Sequence, residues 1–282
     1  YRRRMRHAVR SGADGIILRT DWESLDGHTA FRTPNRINLY AGSMLAKDLS
    51  VPDRDIYLRF LREEGWLLDN LTLEEEEQAA DWFGGLMSRT WAATSRMLYV
   101  QGCVFSDSSL MPVSYEHAFW LAEEKNSLKA WDPSKADALA PERTHLEAAL
   151  TEKQEALEIL DDLCCRAGNP VVGIRTEHSA WLKERFQLHR EFAEMYASVV
   201  NALMLTRYVL ETKEDHSSEY FREADLKRRR AVEDLTVWET RLRKMAVETD
   251  YMPHTVYTLM DADRMRCLYR TLKKKEKNGE IG

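Results

Sequence analysis

Asp21, Trp22 and Glu23 stand together directly after a short apolar run, and His28 and Asn35 follow in the next stretch of chain. Two carboxylates beside an indole are the residue types that glycosidic chemistry uses: one acid, one base, and an aromatic face against a sugar ring. If the extended run stops at Asp21, the loop after it can bring both carboxylates to one pocket. Asp21 and Glu23 are therefore the candidate catalytic pair, and Trp22, His28 and Asn35 the candidate substrate-binding residues. The same residues also fit a structural role, in which Asp21 caps a turn, Arg19 or Arg32 pairs with Glu23, and Trp22 fills core.

The other reactive side chains carry no such pattern. HExxH, HxH and CxxC spacings are all missing, so no metal site is expected. Cys103, Cys164, Cys165 and Cys267 read as free thiols, and they leave the compartment open. His189 falls on the apolar seam of a helical pattern and reads as a core or interface residue. Ser106-Asp107-Ser108-Ser109 lacks the GxSxG elbow and reads as a hydrogen-bonding loop. Neither a P-loop nor a dinucleotide glycine pattern occurs, so no cofactor is expected.

The acidic-aromatic group needs an element to hold it. Gly15-Ile16-Ile17-Leu18-Arg19-Thr20 is the one convincing short β-branched run, and it leads into Asp21. Before it, residues 1–11 read as a helix closed by Gly12. A helix, a glycine turn and a strand form half of a βα unit, and ligands gather at the C-terminal strand ends of such folds. After the loop, Pro34 opens a helix with Thr33 as its expected cap, and a shorter helix carries Ile56, Leu58, Phe60 and Leu61.

The rest reads as helix. Thr72 and Glu75 form a capping box before a long helix to about residue 100. Residues 103–112 read as a loop, and Ser114 caps an expected helix over 115–128. Three long amphipathic patterns follow, with seams at Leu146–Leu163, Leu182–Leu210 and Phe221–Met245, and a last helix at about 260–276. Lys153, Arg207 and Arg228 stand in these seams among apolar residues. Only 12 Gly and 7 Pro serve 282 residues, too few turn formers for an all-β fold. An eight-stranded barrel of about 250 residues does not fit here. The expected fold is therefore mainly α: a bundle-like domain of long antiparallel helices over 66–282, preceded at 1–65 by a short strand-helix remnant of a barrel.

The formal net charge is −6, which draws no nucleic acid to the whole molecule, and no apolar run is long enough to span a membrane. The basic clusters at Arg2–Arg10, Lys227–Arg230 and Arg270–Lys277 read as solvated helix faces or tails. The chain starts at Tyr1 with no apolar leader and reads as a cut through something larger.

Residues 15–48 resemble the last strand and last helix of the catalytic barrel in α-glucuronidase-like glycoside hydrolases. The resemblance rests on Trp22, Gly27-His28, Asn38, Tyr40-Ala41 and Leu45-Ala46, in the pattern N-x-Y-A-x-x-x-L-A. Lys47-Asp48 stands where the family usually has Trp and Pro. That family carries a large helical domain after its barrel. The resemblance implies that Trp22 and His28 line a sugar subsite and that the general acid comes from an earlier strand, which this chain lacks.

The combined reading is the C-terminal fragment of a carbohydrate-active glycoside hydrolase. It would contribute saccharide-binding residues and a helical accessory domain, with no turnover by the isolated chain. Its partners would be a saccharide and the N-terminal remainder of the same protein. The alternative is a helical interaction module whose seams at 182–210 and 221–245 pair two copies in a homodimer.

Overall fold

The computed structural model describes residues 2–15, 17, 34–106, 110–126, 132–248 and 261–279. Among these the chain is mainly helical. The helices are α1 (Arg2–Arg10), α2 (Arg36–Lys47), α3 (Asp53–Glu63), α4 (Leu73–Leu98), α5 (Tyr115–Trp120), α6 (Arg143–Ala167), α7 (Thr176–Glu211), α8 (Glu219–Glu248) and α9 (Ala262–Gly279). One two-stranded sheet joins β1 (Tyr99–Val100) to β2 (Cys103–Val104). No described helix is long and apolar enough to cross a membrane.

Residues Tyr1–Trp91 and Asp161–Gln187 form one compact unit, and Ala92–Leu160 and Leu188–Gly282 form another. The boundary expected after residue 65 falls inside the first of these.

The first unit is centred on aromatic side chains. Phe60 and Phe83 stack at 5.2 Å, and Trp66 meets Phe83 edge-on at 5.3 Å. His178 lies flat on Trp66 at 4.8 Å and reaches the Gly65 carbonyl at 3.1 Å. Such rings bury large apolar areas and also constrain geometry. The loop after α3 pairs with the chain before α7: Leu68 N–H donates to Gly173 O, and Arg175 N–H donates to Trp66 O, both at 2.8 Å. The capping box forms as expected, with Thr72 N–H donating to Glu75 Oε2 at 2.8 Å. Within this unit α4 runs antiparallel to the end of α6. Trp82 donates to Arg166 O at 3.2 Å, and Arg89, one helical span later, pairs with the earlier residue Asp162.

The second unit holds the sheet and most of the long helices. Residues expected to end a helix and begin a loop instead make a hairpin, with Tyr99 opposite Val104 and Val100 opposite Cys103. Its two-residue turn places Gln101 at φ 52° and Gly102 at φ 90°, the double left-handed geometry of a tight hairpin. Gln is an unusual residue at the first position of such a turn, so the hairpin carries no Asn-Gly or Asp-Gly signature. The helix expected over 115–128 ends its α-form at Trp120 and continues as a π-turn over Leu121–Lys125. Ser114 does cap it, accepting from His117 N–H at 3.1 Å. Helices α8 and α9 pack antiparallel, since Arg228 meets Glu276, Arg266 meets Glu239 and Arg243 meets Asp263.

The expected strand does not begin as one. Gly15 and Ile17, its described members, are irregular, and Ile17 is 97% exposed. No described strand pairs with them, and an unpaired strand leaves its backbone groups to solvent. Residues 16 and 18–20 lie outside the described residues.

Candidate functional site

Asp21, Trp22, Glu23 and His28 lie outside the described residues, as do Asp107, Ser108 and Ser109. Asn35 is described. It is exposed, stands at the start of α2 with φ −61° and ψ −14°, and makes no side-chain cap. The helix therefore begins after Asn35, with Pro34 and Asn35 in the turn before it, not at Pro34.

The three cations in the apolar seams lead to polar groups that periodicity alone does not reveal. Lys153 is 2% exposed on α6. Its ammonium donates to the carbonyls of Arg96, Met97 and Tyr99, the Met97 bond measuring 3.0 Å. It thus closes the C-terminal end of α4, where carbonyls lack helical partners and a cation is favoured. Burial pulls its pKa down to about 8, and Glu152 at 3.7 Å works against that. Glu152 also accepts from Gln101 N–H at 2.9 Å, so one short stretch of α6 holds both the helix end and the hairpin turn.

Arg207 on α7 is the centre of the densest polar group. It pairs with Glu123 of the π-turn at 2.6 Å and lies 3.5 Å from Glu211. Its guanidinium sits 4.3 Å over the Phe119 ring. Tyr115 donates to Glu211 from the other side. Burial, then the Glu211 hydrogen bond, raise the Tyr115 pKa, so this phenol stays a proton donor. Lys275 lies 4.5 Å over the Tyr115 ring and pairs with Glu116 at 3.1 Å. Both carboxylates beside Arg207 are engaged by it, so the group joins α5, the π-turn and α7 and has no acid set aside for proton transfer. π-turns often accompany functional sites, and here the turn presents Glu123 to Arg207.

Arg228, the third seam cation, pairs with Asp225 at 2.8 Å and Glu276 at 3.1 Å. A cleft of about 610 Å³ lies between the start of α6 and the segment Glu211–Glu214. Glu214 already fills its anion position, accepting from Arg143 N–H at 3.2 Å and from Tyr208 Oη at 2.8 Å. His189 is half-buried on α7, and burial lowers its pKa to about 4, which leaves it neutral at pH 7. Cys103 is buried, Cys164 half-buried, and Cys165 and Cys267 exposed, and none of the four is in a disulfide. Among the described residues no group of three or more His, Cys, Asp or Glu is placed to hold a metal ion.

Comparison with protein-family models, with curated proteins and with solved structures found no match for the chain.

Proposed function

We propose that the chain is the mainly helical C-terminal part of a carbohydrate-active glycoside hydrolase. It would contribute saccharide contacts from Asp21, Trp22, Glu23, His28 and Asn35. What supports this reading is how α2 carries the resembling pattern. Ile37 and Leu45 point into the core, Tyr40 donates to Glu64 at 2.7 Å, and Asn35 and Asn38 stay exposed. The helix thus seats its apolar side against α3 and keeps Asn35 and Asn38 on its exposed side. An almost fully exposed Ile17 also suits a segment that a neighbouring sheet would cover.

A dimerising module draws less support. Leu182, Phe186, Val200, Leu203, Leu235 and Leu242 from the two seams are already buried within the chain.

The test is saccharide binding by the chain and by Trp22→Ala, measured calorimetrically across glucuronic acid-containing and neutral oligosaccharides. The expected result is binding without turnover, weakened about tenfold or more by loss of the indole face. Equal binding by the two proteins, or none by either, would sink the reading.

A further inference from the structure

Trp91 on α4 is 64% exposed, whereas Trp66 and Trp82 in the same unit are buried. Trp82 donates its indole N–H to Arg166 O at 3.2 Å, and the Trp91 N–H meets no acceptor among the described residues. Leaving so large a ring in water forgoes the burial that aromatics supply to a core. Helix formation does not ask for it either, since tryptophan is only a middling helix former.

The helix surface before Trp91 is shaped by two glycines. A helical side chain leans toward the N-terminus, so the turn next to the indole is that of Met87 and Ser88. Gly84 comes one turn earlier on the same line of the helix, about 10 Å from Trp91 along the axis. With no Cβ at Gly84, the Tyr57 ring of α3 lies against the α4 backbone; an added Cβ would meet it at 2.6 Å. Phe83 holds that ring edge-on at 5.9 Å, and Tyr57 Oη has no hydrogen-bond partner among the described residues. A Cβ on Gly85 would likewise meet Arg166 Nη2 at 2.9 Å, so a guanidinium from α6 rests beside the same turn. Exposed Ser88 follows these glycines and precedes Trp91. Its hydroxyl donates to Gly85 O at 3.2 Å and keeps its lone pairs for a donor.

We propose that this face of α4 binds an uncharged oligosaccharide, with one pyranose ring stacked on Trp91 and neighbouring hydroxyls meeting Ser88, Tyr57 and Arg166. A pyranose offers a C–H face to an indole and hydroxyls around its rim, so it suits an open aromatic platform bordered by donors and acceptors. An apolar side chain of a partner protein is anchored instead in a closed, desolvated pocket, and exposed Ser88 stands where such a pocket would be. An anionic ligand would need a free guanidinium. Asp162 already lies 3.7 Å from Arg166 and also pairs with Arg89, so an anion meets a carboxylate there. A neutral hydroxyl needs only a donor, and Arg166 Nη2 donates to no described residue. The distance from the Tyr57 position to Trp91 calls for more than one sugar ring. The site stands on these residues alone and does not rest on the Trp22 segment.

The experiment is titration calorimetry with cellohexaose, xylohexaose and mannohexaose, using hexagalacturonate and adenosine monophosphate as charged controls. It is run on the whole chain carrying Trp22→Ala, which removes the N-terminal indole, so failure of this site and failure of the reading built on Trp22 are told apart. The expected result is binding of at least one neutral hexaose. Adding Trp91→Ala should weaken it about tenfold or more, and Trp91→Phe should restore most of the loss. Tyr57→Phe keeps the ring over Gly84 and should weaken binding about threefold through the lost hydroxyl. Trp91 is exposed, so its replacement leaves the core in place, and unchanged thermal melts of the variants check this. No binding of any neutral hexaose, unchanged affinity on replacing Trp91 by Ala, or tighter binding of either charged control would overturn the proposal.

Discussion

The Lys153 ammonium on α6 donates to the Met97 carbonyl at 3.0 Å, across 56 residues of sequence. With Arg96 and Tyr99 as its other acceptors, this side chain ends α4 and starts the hairpin. A lysine serves here as a helix cap delivered from another element, in place of the glycine that ends many helices.

Lys153→Met keeps the stem and removes the donor. Three carbonyls would then lose their shared partner within the protein, at a cost of about 1–3 kcal/mol for each one left dry. Chemical denaturation should show a loss of about 3 kcal/mol or more, and hydrogen exchange should rise first at Tyr99–Val104. A variant as stable as the parent would show that Lys153 is not the cap.

Arg207→Met should be costlier than Tyr115→Phe. Removing the guanidinium leaves half-buried Glu123 without its cation and takes a neighbour from exposed Glu211, a change of about 2–3 kcal/mol for a part-buried charged hydrogen bond. Tyr115→Phe deletes one donor to Glu211, worth about 1–2 kcal/mol. Urea melts of both variants and of the double variant check the ranking. Strict additivity would mean that the tyrosine and the arginine do not share Glu211 as their link.

Acid should weaken the protein partly through His189. Its folded pKa of about 4 lies below its ordinary 6.5, so between these values the unfolded chain takes up a proton that the folded chain refuses. The unfolded state then binds more protons, and stability falls as pH drops through that window. The contribution is fully present above pH 6.5 and decreases by up to about 3 kcal/mol by pH 4. Carboxylates add their own acid dependence, so the measurement is the difference between the chain and His189→Leu. That difference should grow from pH 7 to pH 4; a constant difference would remove His189 from the acid response.

Much of the helical part was readable in advance. The seams of α6, α7 and α8 recur every three or four residues, and Leu146, Leu160, Leu182, Leu203 and Leu235 are buried as that spacing requires. The Thr72–Glu75 and Ser114 caps were readable because a cap joins residues three apart. The hairpin was not, because its turn uses Gln101 where sequence rules look for Asn, Asp or Gly. The π-turn at Leu121–Lys125 carries no residue signal of its own. Of the candidate saccharide residues, only Asn35 falls among the described residues.

Where the helices run and which of their faces turn inward follow from the residues alone, because hydrophobic periodicity and capping act between residues a few positions apart. The same periodicity shows Lys153, Arg207 and Arg228 as charges standing in apolar seams. What each holds is set by packing: the end of α4, the two carboxylates of Glu123 and Glu211, and the Asp225–Glu276 pair. A buried cation must find acceptors wherever packing brings them. For Lys153, Arg207 and Arg228 those acceptors include groups on chain segments far away in sequence, which no local pattern encodes.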